Sequence, residues 1–122
     1  MIFNEAVAAL NSVDRGRLQE LVDPQITFFP MRSAVQGAYI GHGGMNEFLD
    51  DNAQMYEYFR ADFDRLESLP DGRLLAVGRI SIKGRGGEIA TEVLTAGIAT
   101  FRDGRMLSWH DYGSEPAARE KL

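Results

Sequence analysis

Near the end of the chain Trp109 and Asp111 stand two residues apart, a spacing that places both on one face of a strand. A carboxyl set against an indole wall has its pKa moved toward neutrality, which a general acid or base needs at physiological pH. Asp111 is therefore the first candidate catalytic group; the alternative is that it caps the strand end or pairs with an arginine at the rim. Arg79 is the second candidate and shares a face with Val77 and Ser81. Turned inward, its guanidinium would orient Asp111 or hold an anionic or carbonyl oxygen through paired N–H donors. Turned outward, it is a snorkelling surface arginine. The two histidines, His42 and His110, are too few for a three-histidine site and lack the H-x-x-x-H spacing, so no metal is expected. His110 alternates away from Trp109 and Asp111 and is assigned to the opposite face, while His42 is expected to make a cap or backbone hydrogen bond before a helix.

Aromatic and thioether side chains are plentiful for so short a chain. Core packing is their default role, and the surplus is expected to line an apolar pocket for a flat or polycyclic molecule. The expected lining is Tyr39, Trp109, Phe28, Met55, Phe59 and Ser81, with Tyr39 or Tyr58 offering a hydroxyl to a carbonyl. Glu92 is the one mid-strand candidate for a second acid. Gly41, Gly43 and Gly44 precede a helix without a following Walker lysine, so turn and cap geometry rather than a phosphate cradle accounts for them.

The elements that must position these groups follow from periodicity. Phe3, Ala6, Val7 and Leu10 recur at helical spacing with Asn4 as N-cap; Asp14 caps a second helix that Pro24 stops near Asp23. Ile26–Phe29 and Ala38–Ile40 read as short strands joined by a loop through Gln36 and Gly37, and Met45, Phe48, Leu49 and Ala53 mark a third helix. Beyond Met55 three turn signals, Pro70-Asp71-Gly72, Gly84-Arg85-Gly86-Gly87 and Arg102-Asp103-Gly104, separate strands at Phe59–Leu69, Arg73–Lys83, Glu88–Arg102 and Arg105–Tyr112. A straight Glu88–Arg102 strand would run ~50 Å at ~3.3 Å per residue, longer than a domain of this size, so the sheet must bend, with Gly78 and Gly97 as the places for a bulge or kink. The expected fold class is α+β: three N-terminal helices packed on a strongly curved, mostly antiparallel sheet that forms a cone with a central pocket. Arg60, Asp62, Asp64, Arg65 and Glu67 crowd one strand with charge and mark it as a sheet edge. Both faces of Glu88–Arg102 are apolar, so the convex face is expected to be covered by a second copy, giving a homodimer. The residues after Tyr112 read as a short polar tail that frays.

Composition bounds the rest. The chain has 122 residues, 44% of them hydrophobic and 25% charged, and reads as a single domain over 1–122. Thirteen Lys and Arg against eighteen Asp and Glu leave a net charge of −5, which argues against nucleic acid as a partner. There is no cysteine, hence no disulfide, thiol nucleophile or cysteine-ligated metal. No apolar stretch reaches the ~20 residues of a membrane span and Met1–Glu5 lacks a basic signal-peptide start, so a cytoplasmic location is expected.

Gly37-Ala38-Tyr39-Ile40-Gly41-His42-Gly43-Gly44-Met45 followed by Phe48-Leu49 resembles the G-x-Y-x-G-H-x-G-hydrophobic segment that opens the third helix of SnoaL-like proteins. Asp103-Gly104-Arg105-Met106 followed by Trp109-His110-Asp111-Tyr112 resembles the D-G-K-I…W-R-D-Y last hairpin of SnoaL-like and limonene epoxide hydrolase-like members. The resemblance spans nearly the whole chain and implies the nuclear transport factor 2-like cone fold, in a superfamily that includes polyketide cyclases, ketosteroid isomerases, dehydratases, epoxide hydrolases and pocketed proteins with no known reaction. It implies a pocket-facing Asp111 acting as acid or base and, for most members, no metal or organic cofactor. Ser81 stands where the epoxide hydrolase pattern has a second Asp, a departure that weakens epoxide hydrolysis. Two readings remain: a cofactor-free cyclase, isomerase or dehydratase acting on an apolar or polycyclic ligand with Asp111 and Arg79, and a noncatalytic ligand-binding or dimerisation module.

Overall fold

The computed structural model describes residues 1–31, 37–87 and 89–122. Helix α1 (Ile2–Ser12) buries Phe3, Ala6 and Ala9 on one face, and α2 (Arg15–Leu21) starts at Asp14, whose carboxylate accepts the Arg17 N–H at 3.1 Å. Asn4 lies inside α1 rather than capping it, because the helix begins at Ile2. Strand β1 (Val22–Phe29) follows α2 directly, so the stop comes earlier than expected and Pro24 lies within the strand. It sits where the pairing of β1 with the last strand is irregular, between Val22 and Thr27, so its missing N–H removes no ladder bond there. The loop expected from Pro30 to Gln36 falls mostly outside the described residues. Strand β2 (Tyr39–Ile40) leads into α3 (Gly41–Met55), four residues earlier than its apolar repeat indicates.

Four long strands complete the sheet: β3 (Tyr56–Ser68), β4 (Leu74–Gly84), β5 (Thr91–Arg102) and β6 (Arg105–Asp111). Their order is β2-β1-β6-β5-β4-β3, with every pair antiparallel except β1 and β6. The charged strand β3 is at the edge, as its composition required. The sheet bends where the glycines allow it. A Cβ on Gly78 would lie 2.0 Å from the Asp62 carbonyl oxygen, next to the β3 bulge between Phe63 and Arg65. A Cβ on Gly97 would lie 2.4 Å from the Trp109 ring and 2.6 Å from the His110 carbonyl oxygen, so this glycine is what allows the indole to lie across β5.

The concave face carries the main core, in which Phe3, Leu21, Ile26, Phe48, Leu74 and Trp109 are all buried. Helix α1 is tied over it by the Asn11 amide, which donates to the Ala61 carbonyl at 2.8 Å and accepts the Ala61 N–H at 2.9 Å. A smaller cluster of Leu75, Ala96, Ile98 and Ala118 lies on the convex face. Ala118 belongs to a fourth helix, α4 (Glu115–Arg119), which replaces the expected fraying tail. The Ser114 hydroxyl caps it by accepting the Ala117 N–H, and Arg119 bridges Glu67 and Glu115. Part of the convex cover therefore comes from the chain's own C-terminal helix.

Gly97→Ala is expected to destabilise the protein by about 1–3 kcal/mol, since the added methyl has to displace the indole or the β6 backbone. Urea unfolding followed by circular dichroism checks this; an unchanged midpoint means that the strands shift apart freely.

Candidate functional site

Alternation along the strands decides which side chains enter the cone. On β4 the buried Leu74 and Ala76 belong to the concave core, and Ile80 and Ile82 continue that row into a cavity of about 230 Å³. On β5 the concave row is Val93, Thr95, Gly97, Ala99 and Phe101. On β6 it is Met106, Trp109 and Asp111, which can share a face only because a bulge between Phe101 and Thr100 pairs Thr100 with Ser108 and skips Leu107. Helix α1 supplies Phe3, Ala6, Val7 and Leu10 from above, and Phe28, Phe59 and Phe63 complete an almost wholly apolar wall. Phe63 packs edge to face with Trp109 and with Phe3, at 5.2 Å in each case, and Phe3 lies tilted against Trp109 at 5.4 Å.

Asp111 is the single charged side chain among the described lining residues. Its carboxylate accepts the Thr95 hydroxyl at 2.6 Å to both oxygens and the Gly113 N–H at 2.8 Å to Oδ1. Thr95 is itself 2% exposed. Burial pushes the Asp111 pKa above the ordinary carboxylate value, while the Thr95 and Gly113 hydrogen bonds and the neighbouring His110 pull it down. The group is thus a desolvated carboxyl with its acceptor sites partly filled and no cation from the described lining beside it.

Of the expected site residues, the structure brings Phe28, Phe59, Trp109 and Asp111 to the cavity. Arg79 goes elsewhere. It is on the convex face of β4, half exposed, donating to Asp64 at 3.0 Å and lying 3.6 Å from Glu92. Because Ile80 points inward, its neighbours Arg79 and Ser81 must point outward, so neither contributes to the cavity, and Glu92 is committed to the same outer cluster. Tyr39 is buried behind the wall against Phe28 and Phe48, with its hydroxyl donating to Asp51 at 2.6 Å. Met55 ends α3 outside the cavity and Tyr58 is 49% exposed. His110 faces outward, stacked between Phe29 and Tyr112 at 4.9 and 4.2 Å. His42 makes the expected backbone bond: Nε2 donates to the Val22 carbonyl at 3.0 Å, leaving Nδ1 to accept from Gln19.

Thr95 was not legible as a partner of Asp111. Its signal was a hydroxyl in the middle of an inward row that is otherwise apolar from Val93 to Phe101, and it meets Asp111 only in the register that pairs Gly97 with Asp111. Thr95→Val is expected to raise the Asp111 pKa further and Thr95→Ser to restore it; carboxyl-carbon NMR titration reads both, and an unmoved value in the Val variant means the hydroxyl does not tune the acid. Among the described residues no group of three or more His, Asp or Glu side chains is placed to hold a metal ion.

No protein-family model matches this chain, and no curated protein matches it. Solved structures do match. TerC, crystallised with polyporic acid, is similar at 19% identity over 98% of this chain and 93% of its own, with a TM-score of 0.80. A protein of ketosteroid isomerase-like fold from Catenulispora acidiphila, in complex with trimethylamine, matches at 16% identity over 96% and 88% with a TM-score of 0.80. An NTF2-like protein of unknown function from Burkholderia pseudomallei matches at 15% identity over 98% and 91% with a TM-score of 0.78. The curved sheet and the three helices laid into it are those of the nuclear transport factor 2-like cone, and this chain has that fold, which SnoaL-like and ketosteroid isomerase-like proteins also adopt.

Proposed function

We propose that the protein binds a small, largely apolar organic molecule inside the cone and moves a proton on it, with Asp111 as acid and base and without a cofactor. The observation that carries this reading is a carboxyl at the inner wall of an apolar cavity, the single one among the described lining residues, desolvated enough to hold its proton more tightly than an ordinary carboxylate. A proton taken from a carbon beside a carbonyl and returned elsewhere is an isomerisation; the same transfer coupled to ring closure or loss of water is a cyclisation or a dehydration. That similar cones were crystallised with polyporic acid and with trimethylamine supports organic molecules as the ligand class. Epoxide hydrolysis by paired carboxylates has no support, since Arg79, Ser81 and Glu92 are all on the outer face.

The test needs no known substrate. Polycyclic ketones incubated with the protein in D2O are expected to gain deuterium next to the carbonyl with the wild type and not with Asp111→Asn. Ketones that bind, as read by quenching of Trp109, yet exchange equally with both proteins would leave the noncatalytic binding reading in its place. That second reading is favoured by one observation: among the described residues Asp111 has no second carboxyl or histidine in the cavity to share the proton transfer.

A homodimer through the convex face is part of the same reading. Leu94 is 75% exposed at the rim of the cavity, paired across the ladder with the outward-facing Arg79, a large apolar side chain for a chain of net charge −5 to leave in water. Sedimentation at micromolar concentration is expected to give a dimer; a monomer refutes it. No helix among the described residues is long and apolar enough to cross a membrane.

A further inference from the structure

The charge pattern of the cavity narrows the ligand further. Among the described lining residues there is no Lys, Arg or His, and the cation expected to face Asp111, Arg79, is held outside by Asp64 and Glu92. The Gly113 N–H that touches the Asp111 carboxyl can only donate to it, and the Thr95 hydroxyl lies 2.6 Å from both of its oxygens. In its ionised form such a carboxyl needs a positive partner, which these neighbours do not supply. The rest of the wall suits such a partner, because Trp109, Phe63 and Phe3 all line the cavity, aromatic side chains of the kind that attract a cation and give apolar contact to a hydrocarbon frame.

We propose that the cone is an amine site, taking a compact apolar molecule with one basic nitrogen whose ammonium pairs with Asp111 while its hydrocarbon body fills the aromatic cavity. This rests on the reading that the cone holds a ligand. An anionic ligand of the same shape meets a carboxylate with no counter-charge from the described lining and is rejected. A neutral alcohol gains the apolar contacts alone.

Trp109 is the one tryptophan of the chain and lines the cavity, so its fluorescence reports occupancy directly. The experiment titrates the full chain with three probes that share one cage: 1-adamantylmethylamine, 1-adamantylmethanol and 1-adamantanecarboxylate. The amine is expected to bind at least about 10-fold more tightly than the alcohol, and the alcohol more tightly than the carboxylate, a spread in keeping with a desolvated charge pair and cation–π contact. In Asp111→Asn the amine and the alcohol are expected to bind within about threefold of each other. A second measurement needs no variant. Acidification through the Asp111 titration is expected to weaken the amine and spare the alcohol, with His110 beside it on β6 and Tyr56 in the lining as the other titratable groups on the described elements around it. Binding of the alcohol or carboxylate as tightly as the amine, or an amine preference that survives both Asp111→Asn and acidification, overturns the amine site while leaving the cavity a ligand site. Quenching by none of the three overturns both.

Discussion

Replacing Asp111 by Asn is expected to slow turnover of a true substrate by ~10²–10⁴-fold, the range for a positioned acid–base group, while leaving the protein at least as stable at pH 7. The amide has the same shape. Its oxygen keeps the Gly113 N–H, and its NH2 donates to the Thr95 hydroxyl, so no buried polar atom loses its partner. What disappears is the carboxylate. The folded state raises the Asp111 pKa, so it binds this proton more tightly than the unfolded chain does. Stability contributed by Asp111 is therefore complete at pH values below its unfolded pKa and is lost as pH rises through the raised folded value. Asp23, Asp71 and Glu115 have the opposite sign: their pKa values are lowered by hydrogen bonds to Arg102, to the Arg73 backbone and to Arg65, so their stability is lost as pH falls. Those three act alike in wild type and variant and cancel in the comparison. The melting temperature of Asp111→Asn is then expected to gain on that of the wild type as pH rises through the Asp111 window, measured by thermal unfolding from pH 3 to 8. A variant that loses activity and stability together would make Asp111 a structural acid, and one that keeps full activity would end its catalytic assignment.

Phe48→Ala is expected to cost about 3–5 kcal/mol, a large share of the about 5–15 kcal/mol that holds a domain together. Phe48 is 2% exposed on α3 and meets Phe28, Tyr39 and Phe59 edge to face at 4.7, 5.4 and 6.1 Å. Truncation removes these ring contacts as well as the buried apolar surface. The lost ring also borders the cavity, which widens accordingly. Urea unfolding measures the cost; a loss under about 1 kcal/mol would mean that α3 and β1 close over the gap.

Phe3, Ala6, Val7 and Leu10 at helical spacing, the Asp14 cap, the turn at Asp103 and Gly104, and the charged edge strand β3 all behave in the fold as their local chemistry requires. Each of these depends on neighbours in sequence, so each is legible there. Pro24 and the C-terminal segment were not: whether a proline ends a helix or sits in a strand irregularity depends on β6 beside it, and Ser114–Arg119 becomes a helix because Ala118 has Leu75, Ala96 and Ile98 to pack on.

The candidate site divides along the same line. That Trp109 and Asp111 share one face and His110 takes the other follows from two-residue alternation on one strand, so the sequence by itself determined it; that their face is the inner one was implied by the resemblance and decided by the packing of Trp109 against Phe3 and Phe63. Arg79 was misplaced because alternation states only that Val77, Arg79 and Ser81 share a face; which face points into the cone depends on the pairing of Gly78 with Phe63 across the β3 bulge and on the core below it. Thr95 meets Asp111 through a one-residue bulge between two strands, and the ladder register that sets it is a property of both strands packed together. Residue types and their local periodicity determined that this chain makes a cone with an acid near its last strand. Tertiary packing alone decided that the acid sits without a cation from the described residues, held by a threonine, in an apolar cavity.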